Sequence, residues 1–175
     1  MKMKTRFLVS LVAIALLLTC IATGCAEGQN EELHFDRYYI SLPEMNIRAD
    51  PDTPGAIDVL HGGDEVELIS TSEDGIWSTF KYTKDGEERT GCTWTGAVAK
   101  AIRIHLLEDE FCFHKPGCTR SDLGMVSTWR EPTDPDLLIL FEETADDGSE
   151  WLYITSTDGA RCGYMRRDAK FEIVE

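Results

Sequence analysis

The chain has 175 residues, with 17 Lys and Arg against 32 Asp and Glu and a net charge of −15. Hydrophobic residues make up 42% of it and Gly and Pro are ordinary, a globular composition that excludes a disordered chain. Loss of Lys2, Lys4 and Arg6 with an N-terminal signal would take the charge to −18, which disfavours nucleic acid and anionic lipid as partners because like charges repel at each contact.

Met1 to Arg6 are basic, and Phe7 to Ile21 form an apolar run. That run is shorter than the roughly 20 apolar residues of a permanent bilayer span. A basic segment, a short apolar core and then small residues read as an export signal over residues 1–24. Ala22-Thr23-Gly24-Cys25 resembles a bacterial lipobox, with Cys25 as the residue lipidated after cleavage. Ala22 stands where Leu is usual, so cleavage near Ala26 and free secretion is the alternative, and Leu17-Leu18-Thr19-Cys20 is a second candidate. The expectation is an extracytoplasmic protein, lipid-anchored to the cell membrane or else secreted. Residues 25–37 are polar and acidic and read as a tether.

Beyond the tether, short β-branched and aromatic runs are separated by turn signals. Val66 and Leu68 alternate with Glu65 and Glu67; Trp77 to Tyr82 and Gly91 to Thr95 are strands around Asp85-Gly86; Ile102, Ile104 and Leu106 alternate with Arg103 and His105. No stretch after the signal carries a long helical period, so the fold class is all-β. The same punctuation then recurs with a period of about 70 residues. Glu73-Asp74-Gly75 before Trp77 matches Asp146-Asp147-Gly148 before Trp151, and Cys92-Thr93-Trp94 matches Cys162-Gly163-Tyr164, with a hairpin four residues longer in the first copy.

The first copy resembles a bacterial SH3-like domain, a small β-barrel common in exported cell-wall proteins. The likeness rests on Met45-Asn46-Ile47-Arg48 followed by Pro51 and Pro54, then Ile57-Asp58-Val59-Leu60, Gly62-Gly63, Val66-Glu67-Leu68 and Gly75-Ile76-Trp77. Its closing element reads Thr93-Trp94-Thr95 in place of the family's Gly-Trp-Val. The second copy is divergent: Gly163-Tyr164-Met165 restores the closing glycine, but Phe111-Cys112-Phe113 lacks the opening Asn and Arg, and a loop is inserted near Thr119 to Pro135. Two tandem SH3-like barrels, residues 38–107 and 111–175, joined near Leu107 to Glu110, are the expected architecture.

The resemblance implies a non-catalytic module that binds a cell-wall peptide or another exported protein, with no cofactor and no enzyme activity. Trp77, Trp151, Trp94, Tyr164 and Trp129 are the candidate ligand-binding aromatics, Trp129 being expected exposed in the inserted loop. Exported chains favour disulfides, and the cysteines left after Cys20 and Cys25 would pair as Cys112–Cys118 across Pro116-Gly117 and as Cys92–Cys162. The rival reading is a thiol- or metal-dependent factor using Cys112, His114 and Cys118, although their spacing fits no standard zinc arrangement. A purely structural accessory of a membrane complex is the third. Asp50 with Asp52, Glu108-Asp109-Glu110 and Asp146-Asp147 lack the alternating oxygen ligands of a calcium loop and read as solvated surface.

Overall fold

A computed structural model of the protein describes residues 32–119, 125–129 and 136–174. Residues 1–31, which include the segment expected to be an export signal, Cys25 and the first part of the expected tether, lie outside the described residues. The described residues hold β1 (Arg37–Ile40), β2 (Glu44–Ile47), β3 (Asp58–His61), β4 (Glu65–Thr71), β5 (Trp77–Lys84), β6 (Glu87–Trp94), a 3-10 turn (Thr95–Ala97), β7 (Val98–Leu106), β8 (Glu110–Phe113), β9 (Met125–Trp129), β10 (Leu137–Thr144), β11 (Glu150–Ser156), β12 (Cys162–Arg166) and β13 (Phe171–Ile173). The fold is all-β, and residues 32–175 form one compact unit.

Local chemistry accounts for the strands. Ser78, Phe80 and Tyr82 point inward from β5 while their neighbours face out, the period of two that a half-buried strand requires. Asp85 and Gly86, at φ 53 and 81, make the two-residue turn whose left-handed residues match strand twist, and they close the β5–β6 hairpin.

Eleven strands form one sheet in the order β6-β5-β4-β1-β7-β10-β11-β12-β8-β9, with β13 also on β7, and this sheet is not closed into a barrel. The hairpin β2–β3 stands apart, touching β6 through the bridge Arg48↔Cys92. Within this layout one pairing scheme occurs twice. β1 pairs with β4 and with the first half of β7; the second half of β7 pairs with β10 and with β13. The meanders β4–β5–β6 and β10–β11–β12 each carry a bulge in the first strand, at Leu68/Ser70 and at Ile139/Phe141. β7 therefore closes the first set and opens the second. Leu107 to Asp109 do connect β7 to β8, but the strand before them already serves both sets.

Each set buries its own core. Ile40, Ile47, Leu60, Val66, Phe80 and Tyr82 pack together in the first. Ile104, Cys112, Trp129, Leu152, Ile154 and Met165 lie in the larger core of the second. Tyr39, Ala101 and Leu138 fill the joint between them, where the Arg103 side chain also donates to Asp136 and to the Gly63 carbonyl.

Three expectations are corrected. The tether does not run free to residue 37: Leu33 is buried in the second core and Phe35 packs against it. The inserted segment is not all loop, because Met125–Trp129 forms β9 along β8. The repeat register also differs. Trp77 pairs with Trp94 and Trp151 with Arg166, so Cys92 stands opposite Thr79 as Tyr164 stands opposite Tyr153. Cys92 is thus the counterpart of Tyr164 and not of Cys162, and the hairpins differ by two residues rather than four.

The glycines support this register. A Cβ on Gly91 would overlap the Ile47 side chain and crowd the Arg48 carbonyl; one on Gly163 would overlap the Cys112 sulfur and crowd the Phe113 carbonyl. Gly91 and Gly163 are therefore the same close approach of the same two strands. The closing glycine of the first set is not missing, and what departs is the aromatic after it, replaced by Cys92.

Candidate functional site

The candidate aromatics divide by burial. Trp151 is 1% exposed and Trp129 is 0% exposed, so neither offers a ring to solvent. The expectation that Trp129 is exposed fails because β9 lays it into the second core, where the Arg161 guanidinium lies 4.3 Å from its ring centroid. Its indole N–H has no hydrogen-bond partner among the described residues. Trp77 is half-buried and Trp94 is 52% exposed.

Trp77 sits where β5 leaves the turn Ser72–Gly75. Gly75, at φ 72, and Asp74, whose carboxylate accepts from the Ser72 hydroxyl and the Ile76 amide, fix that turn and bring Asp74 below the usual carboxylate range. The Arg48 guanidinium covers one side of the ring at 5.1 Å from its centroid, a cation–π contact, and donates onward to the Pro51 carbonyl. Beyond Arg48, the Asp50 carboxylate accepts from the Thr53 hydroxyl and the amides of Thr53 and Asp52, which lowers its pKa and holds the loop in a turn of its own. Every residue from 49 to 57 is exposed, so this loop does not close over Trp77. Trp94, 52% exposed with its ring on Gly96, stands opposite Trp77 across the β5–β6 pair, so these two indoles share one strand face beside the acidic turn Glu73-Asp74.

A second feature of the first set is a cleft of about 420 Å³ between β4 and β5. Leu60, Val66 and Tyr82 give it an apolar floor, and Glu65, Glu67 and Glu88 stand at its rim, Glu88 paired with Lys81 at 3.5 Å and Glu65 with Arg37 at 3.4 Å. Both features favour cationic groups over anionic ones.

In the second set the position of Arg48 is taken by Phe113, whose ring meets Trp151 edge-on at 5.5 Å. Tyr164 is half-buried, and its hydroxyl donates to Glu143 at 2.8 Å, which raises its pKa. Phe141, Tyr153 and Tyr164 lie side by side on three strands, the first two stacked at 4.8 Å. The sequence reading missed Phe141 and Tyr153, although Trp151-Leu152-Tyr153 signals two aromatics on one strand face. A hydrogen bond to Cys162, with burial, pushes Tyr153 up to about 12.

Neither expected disulfide is formed: no bridge joins any two of Cys92, Cys112, Cys118 and Cys162. Cys112 and Phe113 are neighbours on β8 and face opposite ways, Cys112 into the second core and Phe113 toward Trp151; Cys118 packs on the Phe113 side. A bridge would have to pass through the strand. Cys92 lies on β6, at one end of the sheet path, and Cys162 on β12, with six strands between them. Burial raises the Cys92 thiol pKa. The same geometry separates the metal candidates: His114 is exposed, and no group of three His, Cys, Asp or Glu that could hold a metal occurs among the described residues. Of the other histidines, His34 and His61 are exposed, whereas His105 contacts the Asp136 carboxylate at 3.1 Å.

No family model and no curated protein matches the chain.

Proposed function

We propose that the protein is a non-catalytic envelope lipoprotein in which two SH3-like units, the second divergent, hold a cell-wall peptide or another exported protein close to the membrane. The observation that carries this reading is the doubled pairing scheme. Each set places a strand, a loop and a bulged meander in the same register, with Gly91 and Gly163 at the same close approach. The doubled pairing order supports reading the repeated motif order as two related units. The patch at Trp77 and the acidic cleft give the first unit two concave or open surfaces suited to a peptide bearing a free amine. Lipidation of Cys25 would supply the anchor, and Leu33 docked in the second core would leave a span of eight residues, at most about 28 Å. Such a reach favours a membrane-proximal ligand. Co-sedimentation of the purified protein with peptidoglycan tests the reading: retention in the pellet is expected, and a protein left in the supernatant at low salt contradicts it.

A further inference from the structure

β4 changes partner along its length. Glu67 to Thr71 pair with β5, whereas Glu65 and Val66 pair with Tyr39 and Tyr38 of β1. The β4–β5 ladder therefore ends at Glu67↔Lys81, and the cleft of about 420 Å³ opens where the two strands part. Its floor residues Leu60, Val66 and Tyr82 belong to the first core, so the cleft reaches buried apolar surface. In the second unit the matching strands stay together. Leu137, the counterpart of Val66, pairs with Ile104 and also with Ser156, the counterpart of Tyr82. Glu67 and Lys81 are replaced there by Leu138 and Thr155, both buried, and Glu65 by Asp136, which Arg103 engages. The parting of the strands belongs to the first unit.

Backbone direction adds a polar element. The two hydrogen bonds of the Arg48↔Cys92 bridge turn the Cys92 N–H and C=O away from β5. Alternation along an antiparallel pair then turns those of Thr79, Lys81 and Thr83 toward β4. Thr83 lies past the last β4–β5 pair, so its donor and acceptor face the cleft.

We infer that this cleft holds a lysine-type side chain, a primary ammonium on a straight alkyl stem, carried by an extended peptide that meets Thr83. This deepens the binding-protein reading and rests on it. The apolar floor suits the stem, which a lysine lays along apolar surface while its charged end stays in the polar rim. Asp64, Glu65, Glu67 and Glu88 stand at that rim against Lys81 and Arg37, so negative charge is in surplus. Glu88 takes Lys81, Glu65 takes Arg37, and the Asp64 carboxylate accepts from the His61 amide at 2.8 Å. Glu67 has no ion-pair partner among the described residues and is left to receive the ammonium. A neutral side chain of the same shape would cover the floor without meeting that charge, and an anion would be repelled.

The probe is Nα-acetyl-lysine N-methylamide, titrated into the full chain and followed by the leucine and valine methyl resonances. Saturable shifts at Leu60 and Val66 are expected, with Leu137 and Leu138 of the second unit unmoved. The norleucine analogue, which keeps the stem and lacks the ammonium, should bind about tenfold more weakly. Glu67→Gln, at an exposed position, should weaken the lysine probe about threefold, and Lys81→Gln should tighten it by about as much. Opposite signs from two neutralising changes separate recognition of charge from any general effect on the fold, and unchanged Leu137 and Leu138 signals certify that both variants are folded. Absence of shifts at Leu60 and Val66, equal binding of the norleucine analogue, or unaltered affinity in both variants overturns the inference. A wild-type protein that sediments with peptidoglycan yet ignores the lysine probe ends this site assignment alone; one that does neither ends the binding-protein reading as well.

Discussion

Gly91 and Gly163 are each the point where one strand crosses closest to another, and each admits no side chain. Alanine at either position forces the crossing strands apart, which costs about 1–3 kcal/mol for an overpacked site. Gly91→Ala and Gly163→Ala should therefore both lower the denaturation midpoint; a neutral Gly91→Ala would break the equivalence of the two units. Asp58 is the other residue with a large local effect. Its side chain, 8% exposed, accepts from Lys84 and from Arg89, the latter at 2.9 Å, and is drawn from 3.8 to about 2, chiefly by the Lys84 hydrogen bond. A folded-state pKa below the unfolded one gives a contribution that is full above 3.8 and lost as pH falls to about 2. In pH-dependent unfolding, the stability gap between wild type and Asp58→Asn should be constant above that window and shrink within it. A gap that widens on acidification contradicts the assignment.

At the scale of elements, β7 is the part on which both halves depend. Val98 to Ala101 pair with β1, and Ile102 to Leu106 pair with β10 or β13, so its loss would leave two unpaired sheet edges. Ile104 is fully buried, and Ile104→Ala should cost about 2–5 kcal/mol. Because the strand is shared, hydrogen exchange should quicken in β5 and in β11 together, whereas a change confined to the second half would make the halves independent. The strands β4 to β7, β11 and β12 were legible because their alternation is clean and Asp-Gly or Glu-Asp-Gly turns punctuate them. β9 was not, because Met125 to Trp129 lies among polar and proline residues that read as loop; its pairing with β8 is a long-range choice, invisible locally. Leu33 and Phe35 were hidden by flanking acids. At the site, Trp77 and Trp94 were legible as aromatics, but the coincidence of Cys92 and Cys162 drew the repeat out of register. The glycines, which the backbone crossing constrains, were the better guide.

For the whole molecule, charge and anchoring set what can be held and where. If Cys25 is lipidated as proposed, a Cys25→Ser protein should leave the membrane fraction, since stable anchoring needs more than one lipid chain; unchanged partitioning would remove the anchor from the account. A net charge of −15 makes attraction to amine-bearing ligands long in range at low salt. Exposed charges are screened beyond about 8 Å at physiological ionic strength, so the attraction should fade as salt rises. The most direct test is retention on peptidoglycan as a function of salt for the wild type and for Glu65→Lys/Glu67→Lys, whose changed side chains are exposed at the cleft rim. The account predicts retention that declines with salt and is weakened by the reversal at low salt. Retention indifferent to both, or binding to teichoic acid in preference to the peptide-bearing wall, would contradict it.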